Sequence, residues 1–200
     1  NPSRQKRNTF QDDLFCYEQE LRQHLITLQD MFDTVRDNNL ELKPGKTMLN
    51  CREMRVLGHI LTGEGRRPDP KSIQSIMDIE PPKTLTDVRT ICGLANVTKN
   101  YIHLLTRILE PISALQKLVS PKLIQKKWEE DSSCQQALDE LKEALTSAPI
   151  LLPPDPSKPY QIKTDACKKG RGLGAILCQR HPVTGEWHPV QYWSKALTDT

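Results

Sequence analysis

The sequence predicts an α+β protein in which a mainly helical part is followed by a short antiparallel sheet. Two observations carry this prediction. Apolar residues recur at three- and four-residue steps over much of the first 150 residues, which is the period of amphipathic helices. After Pro149 the period changes to two, which is typical of half-buried strands. We therefore expect a domain boundary near residue 150.

The first helix is predicted between Glu18 and Asn39, because one apolar face recurs at helical spacing and Asn38-Asn39 closes it. That face comprises Leu21, Leu25, Leu28, Phe32 and Val35. Beyond Pro44-Gly45, alternating residues predict a single strand from Met54 to Ile60. The glycine-rich turn at residues 63–65 then ends a hairpin-like region.

A short helix is predicted over Ile73–Met77, and the Pro81-Pro82 pair ends it. Thr84 is a good helix N-cap, because its hydroxyl can accept a hydrogen bond from the backbone three residues later. Asp87 stands at that third position, ahead of an apolar period. A helix is therefore expected to begin at Thr84.

A further helix is predicted over residues 101–118, disturbed at Pro111. A basic connector is expected to lead from it to Trp128. Ser132 and Gln135 form a capping-box pattern ahead of another apolar period, which predicts the last helix of this part.

Three strands are predicted after the boundary. Alternating residues mark Tyr160–Asp165 and Leu173–Cys178, and a loop over residues 180–187 separates the second strand from His188–Trp193. The spacing of Gly170, Gly172 and Gly174 fits no phosphate-binding loop. We interpret these glycines as a bend in an inner strand with a close backbone approach.

Composition limits the function classes. The net charge is +3, and a non-specific nucleic-acid binder needs clustered cations rather than a mean excess. A solvated surface explains each basic cluster about as well as a ligand does. The clusters are Arg4, Lys6 and Arg7; Lys122, Lys126 and Lys127; and Lys168, Lys169 and Arg171.

The six cysteines are evenly spread, form no C-x-x-C pair and have no histidine at zinc-site spacing. We therefore expect reduced thiols in an intracellular protein. No apolar run approaches the roughly 18 residues that span a bilayer, and the first nine residues are polar. The chain reads as a fragment of a longer protein.

Two acidic signatures suggest corners of metal sites. Asp12 and Asp13 follow Phe10-Gln11, and Asp165 ends the first predicted strand of the second part. Paired carboxylates at a strand-to-strand turn can hold divalent cations that clamp the oxygens of a phosphoryl transfer. In an arbitrary protein, a turn or a helix cap is the commoner explanation of such residues.

Several segments in the same order resemble the reverse transcriptase and RNase H region of the Pol polyprotein of gypsy-type LTR retrotransposons. The resemblance extends over nearly the whole chain from Phe10. The segments are Phe10-Gln11-Asp12-Asp13, Leu40–Lys46, Val56-Leu57-Gly58-His59, Arg67–Lys71, Pro81–Thr84, Gly93–Asn96, Trp128, Ala144–Pro149, Thr164-Asp165-Ala166, Gly172–Ala175 and Tyr192–Lys195.

The resemblance implies three domains. Residues 1–72 would be the C-terminal part of a reverse transcriptase palm with its primer-grip hairpin. Residues 73–150 would be the helical thumb and connection, and residues 151–200 the opening antiparallel strands of an RNase H-like domain. Val97-Thr98 depart from the family, which has two tyrosines there.

The resemblance also implies roles for individual residues. Asp12 and Asp13 would bind Mg²⁺ (or Mn²⁺) for polymerisation, Lys46 would donate a proton to the leaving pyrophosphate, and Asp165 would be the first RNase H carboxylate. The remaining ligands of both sites would lie outside residues 1–200. The residues that would contact the primer and the duplex are Met54, Leu57, Gly58, Gly93 and Asn96. Core packing explains Leu57 and Gly93 almost as well.

The implied partners are an RNA/DNA primer–template hybrid, dNTPs and the rest of the Pol polyprotein, with no membrane. The implied location is the cytoplasm, a virus-like particle or the nucleus. One alternative is a catalytically inactive relic or host-adopted module that binds nucleic acid or protein. A purely structural protein is the other.

Overall fold

The computed structural model describes the backbone of residues 7–10, 13–18, 20–118, 120–166 and 172–197, and the side chains of all but the first of these ranges. The chain divides into two compact units, residues 1–52 and 53–200. The functional domains predicted with boundaries at residues 72 and 150 do not coincide with these units and stay predictions.

The first unit begins with a two-stranded antiparallel sheet. Strand β1 is Arg7–Phe10 and strand β2 is Asp13–Cys16, with Phe10 opposite Asp13. The aspartate pair predicted at a strand-to-strand turn is thus flanked by two antiparallel strands, with Asp13 as the first residue of β2. Residues 11 and 12 lie outside the described part of the chain.

Helix α1, Leu21–Asp37, confirms the first predicted helix. Asn39 ends it in the left-handed conformation (φ 53°), which asparagine tolerates better than most residues. The backbone N–H of Leu40 then donates to the carbonyl of Val35 at 3.0 Å. A short 3-10 turn follows over Pro44–Lys46.

The second unit opens with a three-stranded antiparallel sheet in the order β3 (Glu53–Val56), β4 (His59–Thr62) and β5 (Arg66–Pro68). The single strand predicted over Met54–Ile60 is wrong, because the chain reverses at Leu57-Gly58. Both turn residues have positive φ, 50° and 78°, as a two-residue type I′ hairpin turn requires.

Six helices follow along the chain. They are α2 (Pro70–Met77), α3 (Leu85–Val97), α4 (Leu105–Ile108), α5 (Glu110–Ala114), α6 (Pro121–Glu130) and α7 (Ser132–Thr146). The predicted cap at Thr84 is confirmed: its side chain accepts from the backbone of Asp87, and the Asp87 carboxylate accepts from the backbone of Thr84. Among the described residues, no helix is both long and apolar enough to cross a membrane.

Three helix predictions were wrong in detail. The helix expected over residues 101–118 is divided into α4, α5 and 3-10 turns: the left-handed Leu104 (φ 50°) delays its start to Leu105, and a new helix begins at Glu110 with Pro111 in its first turn, where the disturbance was predicted. The expected basic connector is helix α6. Asp131, not Ser132, caps α7 by accepting a hydrogen bond from the backbone of Ser133.

The helices of the second unit share one apolar core. Full burial of each such aliphatic side chain contributes about 1.5–3 kcal/mol relative to exposure. The least exposed members are Ile76, Val88, Ala95, Ile112, Ile124 and Leu141.

The second sheet of this unit consists of β6 (Gln161–Ala166), β7 (Gly172–Arg180) and β8 (Trp187–Ala196), antiparallel with β7 in the centre. It confirms the predicted three-stranded piece and the loop that precedes the last strand. Thus the described fold is a mixture of helices and antiparallel sheets, as the α+β class predicts.

A close contact joins the helices to the central strand of this sheet. A Cβ atom placed on Gly174 would lie 2.5 Å from Cδ2 of Leu104, far inside van der Waals contact. Only glycine fits there while Leu104 keeps its position. The close approach predicted at the glycine run exists at Gly174, but it is made by the side chains of Leu104 and His103 and not by the predicted backbone.

Polar contacts surround this joint. The backbone N–H of Thr106 donates to Oγ of Ser194 at 3.3 Å, and the guanidinium of Arg66 donates to the carbonyl of Val190 at 3.3 Å. The backbone N–H of Arg66 also donates to the carbonyl of Leu151 at 2.9 Å. Residues from β5, α4 and the chain before β6 thereby fix the sheet.

We predict that Gly174→Ala destabilises the protein by about 1–3 kcal/mol, because overpacking a close contact forces side chains and backbone to shift. The measurement is the free energy of unfolding from urea denaturation. The new methyl group would meet the buried side chain of Leu104.

The matched control is Gly93→Ala, which makes the same chemical change in helix α3. No atom lies within 4 Å of the added Cβ, so the higher helix propensity of alanine should raise stability by about 0.5–1 kcal/mol. Equal effects of the two substitutions would show that the contact at Gly174 does not constrain the fold.

Candidate nucleic-acid interface

The tip of the β3–β4 hairpin presents an apolar side chain to solvent. Leu57 is 48% exposed although it occupies the left-handed region, where a branched side chain costs about 1–2 kcal/mol. Met54, four residues from the tip's glycine, lies half-buried in β3 opposite Leu61. An unfavourable backbone conformation that displays an exposed leucine favours a binding role over a packing role.

Asp69 holds this hairpin in place. Its carboxylate accepts from the backbone of Lys71 at 2.9 Å, which caps α2, and forms an ion pair with Nε of Arg55 at 2.6 Å. Its own backbone N–H donates to the carbonyl of Gly58 at 3.1 Å. The side chain is almost fully buried, so loss of these partners would leave an uncompensated charge.

A second polar contact links β4 to the turn after α3. Nδ1 of His59 lies 2.8 Å from the hydroxyl of Tyr101. Burial, and secondarily the charge of Arg66, lowers the pKa of His59, and burial raises the pKa of Tyr101 to about 12. The neutral imidazole is therefore favoured, and the protonated phenol can donate to its Nδ1.

Helix α3 places its exposed face beside the hairpin tip. A Cβ atom on Gly58 would lie 3.4 Å from Cγ1 of Val97, the last residue of α3. Gly93 and Asn96 are exposed, and they lie three residues apart and thus on one side of the helix. The exposure of Gly93 and Leu57 excludes core packing as the reason for either residue.

The predicted polymerase residues lie in the first unit. Asp12 lies outside the described residues. Asp13 is exposed at the start of β2, and Lys46 is exposed in the Pro44–Lys46 turn. Asp13 and Lys46 are therefore accessible, but the roles predicted for them stay predictions.

Asp165 lies in the second unit, on strand β6 opposite Gly174. Paired residues of an antiparallel sheet point to the same face, so Asp165 shares the face against which Leu104 packs. Its side chain is nevertheless exposed. Its predicted RNase H role stays a prediction.

The described residues do not assemble a complete metal site. Within them, no group of three or more His, Cys, Asp and Glu side chains could hold a metal ion. Asp13 and Asp165 belong to different compact units. Carboxylate oxygens suit Mg²⁺, but each residue fits such an ion only as part of a larger donor set.

Sequence reasoning missed two residues of this surface. Asp69 was noted only as part of a motif, although a single aspartate before Pro70 is a recognisable helix cap. Val97 was noted only as a departure from the family, yet it is 47% exposed and contacts the hairpin tip. The sequence did not reveal that Val97 is exposed, because an apolar residue at the end of a helix can be either buried or exposed.

The class of the second part of the chain follows from comparison with known families. Residues 128–200 match the family described as RNase H-like domain found in reverse transcriptase. This match includes α7 and the sheet β6–β8.

The homologues are reverse-transcriptase-related Pol polyproteins of retrotransposons. The chain is 29% identical over 188 residues to the retrovirus-related Pol polyprotein from transposon 297 of Drosophila melanogaster. This alignment covers 94% of this chain and 16% of that protein. It is 24% identical over 189 residues to the transposon Tf2-3 polyprotein of Schizosaccharomyces pombe, covering 94% of this chain and 14% of that protein. The chain thus corresponds to a short segment of such polyproteins.

Solved structures show the same fold. One foamy viral protease-reverse transcriptase in complex with double-stranded DNA superposes with a TM-score of 0.79 at 22% identity, covering 96% of this chain and 32% of that chain. A structure of the foamy viral protease-reverse transcriptase in complex with an RNA/DNA hybrid superposes with a TM-score of 0.76 at 22% identity. The superposition covers 97% of this chain and 25% of that chain. At this identity the likeness concerns the fold alone.

We predict that Leu57→Asn stabilises the protein by about 0.5–1 kcal/mol. Asparagine tolerates positive φ, Asn-Gly is a preferred type I′ turn, and the exposed leucine loses little burial. Urea denaturation measures the free energy of unfolding.

Leu104→Asn is the matched control, because Leu104 has the same φ of 50° but is only 9% exposed. This substitution should destabilise the protein by about 2–5 kcal/mol, since it removes a buried apolar side chain. A destabilising Leu57→Asn would mean that the tip leucine is needed for packing.

Proposed function

We propose that the chain is the part of a reverse transcriptase that runs from the end of the palm through the thumb and connection into the RNase H domain. The source would be a Pol polyprotein of a gypsy-type LTR retrotransposon. The order of the motifs, the family match over residues 128–200 and the fold shared with a foamy viral reverse transcriptase support this assignment. Residues 1–72, 73–150 and 151–200 would be its successive parts.

The function that the described residues support best is to hold a primer–template duplex. The observation that carries this proposal is the exposed, conformationally strained tip at Leu57-Gly58, which lies beside Val97 at the end of the helix that also carries the exposed Gly93. A glycine on an exposed helix face lets a sugar–phosphate surface approach closely. Asn96 offers a donor and an acceptor on the same side.

Such a surface suits an RNA/DNA hybrid. The minor groove of an A-form-like duplex is wide and shallow, and proteins bind it by shape and through 2′-hydroxyls rather than by sequence. The foamy viral structures contain double-stranded DNA or an RNA/DNA hybrid, which supports the same ligand class here.

In the longer protein we propose RNA-directed DNA polymerase activity at Asp12 and Asp13, assisted by Lys46, and ribonuclease H activity at Asp165. Bound Mg²⁺ (or Mn²⁺) would supply charge stabilisation to a phosphoryl transfer. Each site needs ligands in addition to these residues. The dNTPs, the rest of the polyprotein, and a cytoplasmic, particle or nuclear location belong to the same proposal.

A second candidate is a duplex-binding module without catalysis. The observation that favours it is the replacement of a tyrosine pair by Val97-Thr98. Thr98 is buried, and its hydroxyl donates to the carbonyl of Ala95 at 2.9 Å, so it does not reach a ligand. This candidate retains the duplex surface and dispenses with the metal sites.

We predict that Gly93→Leu weakens binding of an RNA/DNA hybrid by at least about tenfold. The added side chain would occupy the space through which the duplex approaches α3. Fluorescence anisotropy with a labelled 16-base-pair hybrid at low salt measures the dissociation constant.

Gly63→Leu is the matched control, because Gly63 is also exposed, also has open space around its Cβ position and lies in the turn between β4 and β5. It should leave hybrid binding unchanged. If both substitutions or neither weaken binding, α3 is not the duplex surface.

We predict that Asp12→Asn combined with Asp13→Asn in the longer polyprotein reduces primer extension to background, while hybrid binding persists. Asparagine keeps the size but removes the negative charges that attract divalent cations. A gel assay of primer extension measures the activity.

Asp37→Asn, at the exposed end of α1, is the control and should leave extension unchanged. Undiminished extension by the double variant would refute the polymerase assignment of this pair. A wild-type polyprotein that binds the hybrid without extending it would support the second candidate.

A further inference from the structure

Helix α6 carries an exposed basic side that the proposed function does not yet use. Ile124 and Trp128 are buried and attach the helix to the core. Lys122, Lys126 and Lys127 are exposed. The sequence alone was equally compatible with lysines that face solvent and with lysines that bind a ligand. Their position in the fold distinguishes these two roles.

The structure brings one side of α6 to the beginning of α3. The side-chain amide of Gln125 donates to the carbonyl of Lys83 at 3.4 Å. The backbone N–H of Lys83 in turn donates to the carboxylate of Asp87, which belongs to the capping box of α3. Lys122 lies three residues from Gln125 and four from Lys126, so it shares a side of the helix with each of them.

Lys127 differs from its two neighbours. Its ammonium forms an ion pair with Asp131 at 2.9 Å, and this pairing raises the pKa of Lys127. Lys126 lies 3.7 Å from Glu130, with both side chains well exposed. Such exposed pairs are worth little, so a phosphate can replace the glutamate as the partner of Lys126.

Helix α3 has the hairpin tip near one end and α6 near the other. Its 13 residues extend over about 20 Å. The hairpin tip adjoins its last residue, Val97, and α6 adjoins its first turn. Between them lie the exposed side chain of Arg89 and the exposed Gly93.

We infer that α6 is a second nucleic-acid contact, which binds the phosphate backbone of the same duplex whose groove lies on α3. The inference rests on the proposed duplex-binding function. Lys122 and Lys126 would each replace condensed counterions at a phosphate, a contact that is independent of base sequence. Glu129 and Glu130 are exposed carboxylates next to this side of α6, and they limit the contact to the lysine side chains that reach past them.

The test uses a double variant that carries Lys122→Gln and Lys126→Gln. The control is the single variant Lys127→Gln on the same helix. Affinity for a 16-base-pair RNA/DNA hybrid is measured by anisotropy at several salt concentrations. Circular dichroism verifies that each variant folds. The logarithm of the association constant should fall less steeply with the logarithm of the salt concentration in the double variant. We expect the slope to become smaller in magnitude by about two, roughly one for each lysine. Lys127→Gln should leave that slope unchanged.

A slope of the double variant equal to that of Lys127→Gln would overturn the inference. If hybrid binding is weakened by Gly93→Leu but not by the lysine substitutions, the proposed duplex surface stands and only the role of α6 fails. Absence of hybrid binding by the wild-type chain at low salt would refute the proposed function and this inference together.

Discussion

The contact between Leu104 and Gly174 is the constraint on which the second unit depends. Leu104 leaves the helical path with a positive φ, and its side chain fills the space that Gly174 leaves open on the central strand. Two local penalties, a left-handed leucine and a glycine within a strand, are thereby compensated by burial at the boundary between helices and sheet. A side chain on β7 would separate the two layers.

The same contact explains why no helix runs through Leu104, whereas the later break before α5 falls beside Pro111. Had residues 101–118 formed the continuous helix that their apolar residues suggest, Leu104 could not have reached the sheet. The short helices α4 and α5 instead bring Thr106 to Ser194 and keep Ile108 and Ile112 in the helical core. Packing of two layers here outweighs the intrinsic preference for one long helix.

The sequence predicted those helices and strands that are determined by residues close to one another along the chain. Helix α1, the capping box at Thr84 and the alternation of β6–β8 were all legible, because each depends on residues only a few positions apart. The face predicted for α1 was wrong in part, since Leu21 and Leu25 are exposed and Thr27 is buried. The hairpin at Leu57-Gly58 was not legible, since leucine is rare at a left-handed position and the alternation of Met54–Ile60 concealed the turn. The cap of α7 was predicted at Ser132 rather than at Asp131 because serine and aspartate are both favoured N-cap residues. The gathering of Gly58, Val97 and Gly93 depends on tertiary packing, which no spacing reveals.

The construction of this surface determines what kind of recognition it can perform. Leu57 and Val97 offer shape and apolar contact, Gly93 offers close approach, and the lysines of α6 are the groups that we infer to contact phosphates. None of these groups distinguishes one base pair from another, since base readout needs donors and acceptors matched to a groove edge. Asp69, buried and paired with Arg55, keeps the hairpin tip in one position without contacting the ligand itself. Under the proposed function, this surface would therefore bind a duplex of any sequence by its helical form.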